Sequence, residues 1–201
     1  MKIHIVDYDS GNLESIRNAL KKVGCDPITT NKVSELINAK AVIFPGQGSF
    51  PSAIDKLSQF DITKTLISLI KDGVPFLGIC LGLQLMFESS EEGDIEGLNL
   101  LKGIVPKISD SVKVPHIGWN SVKFDKSHEI FEGIPNDSYF YFLHSYYVKP
   151  LSSENIIGNT NYGGDFCSAY GVDNYVGVQF HPEKSGDLGL QIFDNFINKF
   201  I

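Results

Sequence analysis

Cys80, His181 and Glu183 are the residues of this chain whose types and settings suit covalent chemistry. Gly78-Ile79-Cys80-Leu81-Gly82 places glycines two before and two after a thiol, between an apolar strand-like run and a helix-like pattern over 81–88. This is the thiol counterpart of a nucleophile elbow, in which a tight strand-to-helix turn pushes the nucleophile out of a sheet. A helix N-terminus beside the sulfur favours thiolate, and the backbone N–H of Leu81 is a natural oxyanion donor. A thiol nucleophile wants an imidazole to take its proton, and the imidazole wants a carboxylate to fix its tautomer. Late in the chain, Val176-Gly177-Val178-Gln179-Phe180 runs into His181-Pro182-Glu183. An i, i+2 pair in extended backbone projects to one side. Each piece alone has a plainer reading: a buried structural cysteine, a loop histidine, a solvated carboxylate. The three together are far more specific than any one.

The elements that must position these groups are written in the hydrophobic periodicity. Ile3–Val6 is an apolar run ending in a turn-rich segment, 7–12. Leu13, Ile16, Leu20 and Val23 follow at helical spacing, with Gly24 at the C-cap position. Ala41–Phe44 reads as a buried strand closed by Pro45-Gly46. The spacing predicts one helix over 52–71, marked by Ile54, Leu57, Leu66, Ile67 and Ile70, and then a strand over 74–79. Apolar strands alternating with helices imply a parallel sheet covered on both faces. From 103 to 179 the segments are short, aromatic and β-rich, followed by a strand over 175–180 and a closing helix over 188–200. The fold expected is α/β, one domain with a mostly parallel central sheet flanked by helices plus antiparallel β additions. In such sheets ligands bind at the carboxyl ends of strands, where both motifs would lie.

Composition narrows the function classes. The chain has 201 residues, with 17 Lys plus Arg against 24 Asp plus Glu, a net charge of −7. That balance argues against nucleic acid and against an acidic membrane surface as partner. The most apolar stretch, 74–87, is interrupted by Pro75, Gly78, Gly82 and Gln84 and falls short of the ~20 apolar residues of a spanning helix. The N-terminal residues read as a strand rather than an export signal. Three scattered cysteines without a CxxC pair suggest neither disulfides nor zinc, so a cytoplasmic location is expected. His116, His144 and His181 have no metal-ligand spacing, and neither a metal nor a cofactor is expected. Cys25 and Cys167 read as inert thiols. A lone tryptophan such as Trp119 is more often core than interface, and His144, within an aromatic strand, reads as a satisfied structural histidine.

Gly78-Ile79-Cys80-Leu81-Gly82-Leu83-Gln84 with His181-Pro182-Glu183 resembles the class I (triad) glutamine amidotransferases, and the likeness spans residues 1–201 as one such domain. Five further segments resemble one branch of that class, the glutaminase subunits of imidazole glycerol phosphate synthase. They are Asp7-Tyr8 with Gly11-Asn12-Leu13, Pro45-Gly46 with Gly48-Ser49-Phe50, Pro115-His116-Ile117-Gly118-Trp119-Asn120, Tyr141-Phe142 with His144-Ser145-Tyr146, and Gln179-Phe180-His181-Pro182-Glu183-Lys184-Ser185. The resemblance implies that Cys80 attacks the side-chain amide of L-glutamine, with His181 as base and then acid, and Glu183 holding His181. It implies an oxyanion loop of Gly46, Gln47 and Gly48, together with Leu81, and contacts to glutamine from Gln84, Glu92, Ser145 and Tyr146. It also implies a (β/α)8-barrel cyclase subunit as heterodimer partner, faced by Asn12, Trp119 and Lys184. That cyclase would use the ammonia to make imidazole glycerol phosphate and AICAR in histidine biosynthesis.

Gln47 and Asp9 depart from the small aliphatic residue and the glycine common at these places in the branch. Other readings stay open from the residues alone. They are a related subunit feeding ammonia to a different synthase, such as one aminating a sugar, a catalytically silent regulatory subunit, and a stand-alone hydrolase of γ-glutamyl peptides. A chain filled by glutaminase machinery is expected to be half of a two-protein enzyme.

Overall fold

Buried strands with both faces covered dominate the computed structural model, which describes residues 3–124 and 128–201. In chain order the first half runs β1 (Ile3–Val6), α1 (Leu13–Lys22), β2 (Ile28–Thr30), α2 (Val33–Leu36), β3 (Ala41–Phe44), α3 (Phe50–Gln59), α4 (Thr63–Lys71), β4 (Phe76–Ile79) and α5 (Leu81–Gln84). It continues with β5 (Ser89–Ser90), β6 (Ile95–Glu96), β7 (Gly103–Val105), β8 (His116–Val122), β9 (Ser138–His144), β10 (Lys149–Pro150), β11 (Ile156–Asn161), β12 (Asp165–Val172), β13 (Tyr175–Val178) and α6 (Gly186–Phe200). Short 3-10 turns occupy Glu129–Phe131 and Pro182–Lys184. The central sheet has the order β11-β12-β13-β4-β3-β1-β2. It is parallel from β13 to β2 and antiparallel at the β11-β12-β13 end. This is the α/β architecture the periodicity implies.

Alternating strand residues feed two cores. Ile3, Ile5, Ile43, Leu77, Ile79, Val176 and Val178 pack on one face against Ile16 and Leu20 of α1 and Ile192, Phe193 and Phe196 of α6. Val42, Phe44, Phe76 and Tyr175 face the other way, toward Leu57, Leu66 and Leu69 of α3 and α4. A period of 2 in every parallel strand sorts the side chains this way.

Two helix expectations are corrected. The 52–71 helix is broken into α3 and α4, because Asp61 adopts a left-handed φ of 52° and Ile62 N–H turns back to the Leu57 carbonyl at 3.3 Å. The 81–88 helix stops at Gln84. The carbonyls of Leu85, Met86 and Phe87, which a continuing helix would use, accept from Leu98, Leu100 and Asn99 instead. β2 and α2 were not anticipated. The strand read over 175–180 ends as a ladder at Val178, and the closing helix begins two residues earlier than expected.

Close approach explains the glycines of the elbow. A Cβ on Gly82 would run into the Phe44 carbonyl oxygen. The places where Cβ atoms of Gly78 and Gly177 would stand are each 2.6 Å from the Tyr175 hydroxyl, whose ring fills that space.

The β8–β9 hairpin forms a separate two-stranded layer, with His116 opposite His144. The Tyr146 carbonyl can only accept, so His144 Nδ1, 2.9 Å away, carries the proton. His144 Nε2 then accepts from His116 Nδ1 at 3.0 Å, and His116 Nε2 accepts from the Asn120 amide at 3.3 Å. Tyr162 stacks on His116 at 3.9 Å. Burial pushes His116 down to about 4 and His144 down to about 3.

Two outcomes are expected. Gly82→Ala should cost at least about 2 kcal/mol in chemical denaturation, since overpacking against backbone cannot relax by a rotamer change. The unfolded chain takes up protons on these two histidines below about 6.5, while the folded chain refuses them until about 4 and 3. Their contribution to stability is therefore whole above pH 6.5 and drains as pH falls toward 4. Melting temperatures measured across that window should fall less steeply in His116→Gln than in the parent.

Candidate active site

Four loops leave the carboxyl edge of the parallel sheet side by side, and they carry the expected catalytic and oxyanion residues and Asn12, Gln84 and Lys184, while Glu92, Trp119, Ser145 and Tyr146 come from other elements. These loops follow β1, β3, β4 and β13. Cys80 succeeds β4 with φ 54° and ψ −109°, a conformation L-residues avoid. Its N–H donates to the Val178 carbonyl at 2.7 Å, tying the elbow to the neighbouring strand. The first intrahelical bonds of α5 come from the N–H groups of Leu83 and Gln84 to the Cys80 carbonyl, so the Leu81 N–H precedes the ladder.

His181 lies beside the Cys80 sulfur, with which its side chain interacts directly. Its Nδ1 donates to Glu183 Oε1 at 2.8 Å. Both side chains are almost wholly buried. Burial works against the charged imidazole, but the Cys80 sulfur and the Glu183 carboxylate outweigh it and hold His181 up to about 10. The direction favours a protonated imidazole beside the sulfur. The backbone is pinned on the other side. His181 N–H donates to the Tyr141 carbonyl at 2.8 Å, and Ser185 Oγ donates to the His181 carbonyl at 2.7 Å.

A cavity of about 330 Å³ opens onto the sulfur. Gly46, Gln47, Gly48, Leu81, Gln84, Glu92, Ser145 and Tyr146 all line it with Cys80 and His181, so the expected catalytic, loop and substrate residues are brought together. The volume sits at the lower end for small-molecule sites. Gly48, in the 45–48 turn, has a φ of 101°. One Glu92 oxygen accepts the Phe50 N–H at 2.7 Å. Gln84 Nε2 donates to the Tyr146 carbonyl at 2.8 Å and to Gln179 Oε1 at 3.1 Å. Both its N–H bonds are committed, which leaves its oxygen for a ligand. Among the described residues no group of three or more His, Cys, Asp or Glu is placed to hold a metal ion.

The three residues expected to face a partner separate. Trp119 is 55% exposed, which corrects the core reading of a lone tryptophan. It stands edge-on to Tyr141, and Lys184 Nζ lies 5.9 Å over the same Tyr141 ring. Asn12 instead turns its carboxamide inward and donates to Glu183 Oε1, the oxygen that also serves His181. Ile117 and Tyr139, 57% and 59% exposed, extend the Trp119 face along the hairpin.

Tyr8 and Gln179 were not picked out as site residues. The buried Tyr8 hydroxyl donates to the Pro45 carbonyl at 2.7 Å and so fixes the root of the 45–48 loop. Gln179 reaches the sulfur itself. Their presence inside the Asp7-Tyr8 and Gln179-Phe180-His181 segments was the available signal.

A model of the family described as glutamine amidotransferase class-I matches residues 4–200. The imidazole glycerol phosphate synthase subunit HisH of Methanocaldococcus jannaschii is 48% identical over 196 residues, covering 97% of this chain and 98% of that one. The subunit of the same name from Moorella thermoacetica is 45% identical over 195 residues, covering 96% and 93%. A solved structure described as glutamine amidotransferase superposes with a TM-score of 0.76 at 16% identity, over 96% of this chain and 98% of that one. With a family match over almost its whole length and relatives at this identity, the chain belongs to the class-I glutamine amidotransferases.

Proposed function

We propose that this chain is the glutaminase subunit of an imidazole glycerol phosphate synthase, a single glutaminase domain over residues 1–201. It hydrolyses L-glutamine and delivers the ammonia to a (β/α)8-barrel cyclase subunit in the cytoplasm. The observation that carries this reading is the strained Cys80 sulfur beside an imidazole that Glu183 orients at 2.8 Å. Near-full-length identity to synthase subunits of that name narrows the acceptor. Free Cys25, Cys80 and Cys167 suit a reducing compartment.

The chemistry follows from the arrangement. The Cys80 thiolate adds to the amide carbon of glutamine, forming a C–S bond. The developing oxyanion sits at the Leu81 N–H and the loop of Gly46, Gln47 and Gly48. The His181 imidazolium gives its proton to the departing nitrogen as the C–N bond breaks, releasing ammonia and leaving a γ-glutamyl thioester. Water then attacks the thioester while neutral His181 takes its proton. The C–S bond breaks, glutamate leaves and the thiolate–imidazolium pair is restored. Glu183 keeps the imidazole in the required tautomer and orientation. The free oxygen of Gln84, the Glu92 carboxylate and the 145–146 segment recognise the α-ammonium end of glutamine.

The partner docks on the outer face of the β8–β9 hairpin. Ile117, Trp119, Tyr139 and Tyr141 alternate outward there, with Lys184 at the edge, and large exposed aromatics are the usual anchors of interfaces. Leu143 continues this face and also lines the cavity, so ammonia leaves toward the partner.

Cys80→Ala, reconstituted with a cyclase subunit, should lose glutamine hydrolysis by at least about 1,000-fold while the ammonia-dependent cyclase reaction persists. Retained glutamine turnover in that variant would overturn the reading. Stimulation of hydrolysis by the cyclase's nucleotide ligand, and not by a sugar-aminating synthase, distinguishes the acceptor. Trp119→Ala should weaken the complex by about tenfold or more in titration calorimetry, and leave the fold intact by circular dichroism.

A further inference from the structure

The Cys80 sulfur has a neighbour that the triad does not account for. Gln179 is fully buried at the end of β13, opposite Cys80 in the register that pairs Val178 with Ile79. Its side chain lies 3.5 Å from Sγ. A carboxamide carries an oxygen at one end and an NH2 at the other, so which end meets the sulfur decides its effect. Two bonds settle that choice. The Tyr146 carbonyl only accepts, so the Gln84 group facing it at 2.8 Å is Nε2. The second N–H of the same Gln84 nitrogen then needs an acceptor, which fixes the Gln179 atom at 3.1 Å as Oε1. Nε2 of Gln179 is left aimed at sulfur. The Gln179 main chain gives no slack, because its N–H is held by the Ser168 carbonyl at 2.9 Å.

We propose that Gln179 is a further catalytic residue, whose Nε2–H donates a hydrogen bond to the Cys80 sulfur and stabilises its thiolate, with its direction set by Gln84 and the Tyr146 carbonyl. This rests on the reading of Cys80 as the nucleophile. A buried sulfur anion needs donors around it, since burial without hydrogen bonds penalises charge. A donor to an ionised acceptor is worth roughly twice one to a neutral acceptor, so Gln179 favours the thiolate over the thiol. The thiol has its own alternative, the Leu143 carbonyl at 3.8 Å, which accepts only while the proton is present. The Gln179 donor is permanent and has no titration of its own, whereas His181 donates only as imidazolium. In the thioester stage, while His181 is neutral, Gln179 is the donor that stays beside the sulfur, and it receives the leaving thiolate together with His181 once that ring has taken the proton of water.

The test follows the alkylation of Cys80 by iodoacetamide across pH, read by mass spectrometry of the Cys80 peptide, with the Cys25 peptide as internal reference. The other titratable groups around this sulfur among the described residues are His181, with Glu183 behind it, Tyr8 from the loop after β1, His144 from β9 acting through His181, and Glu92 and Tyr146, which line the same cavity. Gln179→Met keeps side-chain length and leaves all of them in place. The expected result is an alkylation midpoint about one pH unit higher, and a rate near neutrality about tenfold lower, while the Cys25 profile is unmoved. A Gln179→Met profile that superimposes on the parent overturns the proposal. A second measurement needs no variant at 179. The side-chain amide resonance of Gln179 in glutamine-labelled protein should shift with Cys80 ionisation, and that shift should vanish in Cys80→Ala. A resonance indifferent to Cys80 ionisation overturns the proposal equally. Neither readout uses glutamine turnover or a partner, so failure here leaves the glutaminase reading standing, whereas failure of that reading shows separately, as glutamine turnover retained in Cys80→Ala.

Discussion

One residue in a backbone conformation that L-amino acids avoid sets the terms for the rest of the molecule. Cys80 at φ 54° lifts its sulfur off the end of β4, and that posture persists only because its surroundings over-determine it. The Val178 carbonyl holds the Cys80 N–H from one side. On the other, Gly82 lets the first turn of α5 press against the Phe44 carbonyl with no side chain between. The order of the parallel sheet is what makes this possible. β4 lies between β13 and β3, so the elbow has a strand end on each flank: one carries Gln179 and His181, the other Pro45 and Gly46.

Many of the polar groups gathered at that edge are joined in a chain rather than in isolated pairs, although Glu183 Oε2, Gln47 Nε2 and Ser10 Oγ have no hydrogen-bond partner among the described residues. Asn12 and His181 share one oxygen of Glu183. Tyr8 holds Pro45, and the Tyr146 carbonyl receives both Gln84 and His144. In a low-dielectric interior each bond strengthens the next, and a missing partner is costly. The carboxamides of Asn12, Gln84 and Gln179 do most of this joining. They carry a donor and an acceptor at every pH, and so hold geometry steady while sulfur and imidazole exchange charge.

The sheet was legible in the sequence because buried strands are local patterns, and Cys80, His181 and Glu183 stood out as candidates because each lies in a short segment with its own local signal. Four-residue apolar runs at β1, β3 and β4 announce buried parallel strands, and two glycines around Cys80 announce a crowded turn. What was not legible depends on distant partners. The break at Asp61 interrupts a pattern whose apolar spacing looked continuous. The end of α5 is imposed by residues 98–100, which take the carbonyls that a longer helix would have used. The exposure of Trp119, implied by the family likeness, was not legible from the residue alone, because β8 turns the apolar Ile117 and Trp119 outward and His116 inward. Gln179 meets Cys80 across 99 residues of chain, through a strand register that no local window contains.

The Tyr175 ring, lying in the space that side chains at Gly78 and Gly177 would need, binds the history of three positions together. The ring is not the whole obstacle: a methyl group at 177 would also stand 2.5 Å from Leu83 Cδ1, and one at 78 would stand 3.0 Å from the Gly82 carbonyl oxygen. A smaller residue at 175 therefore relieves only part of the crowding, and growth at either glycine meets more than one neighbour at once. The floor of the catalytic elbow is thereby insulated from gradual substitution, although none of the three side chains takes part in the chemistry above it.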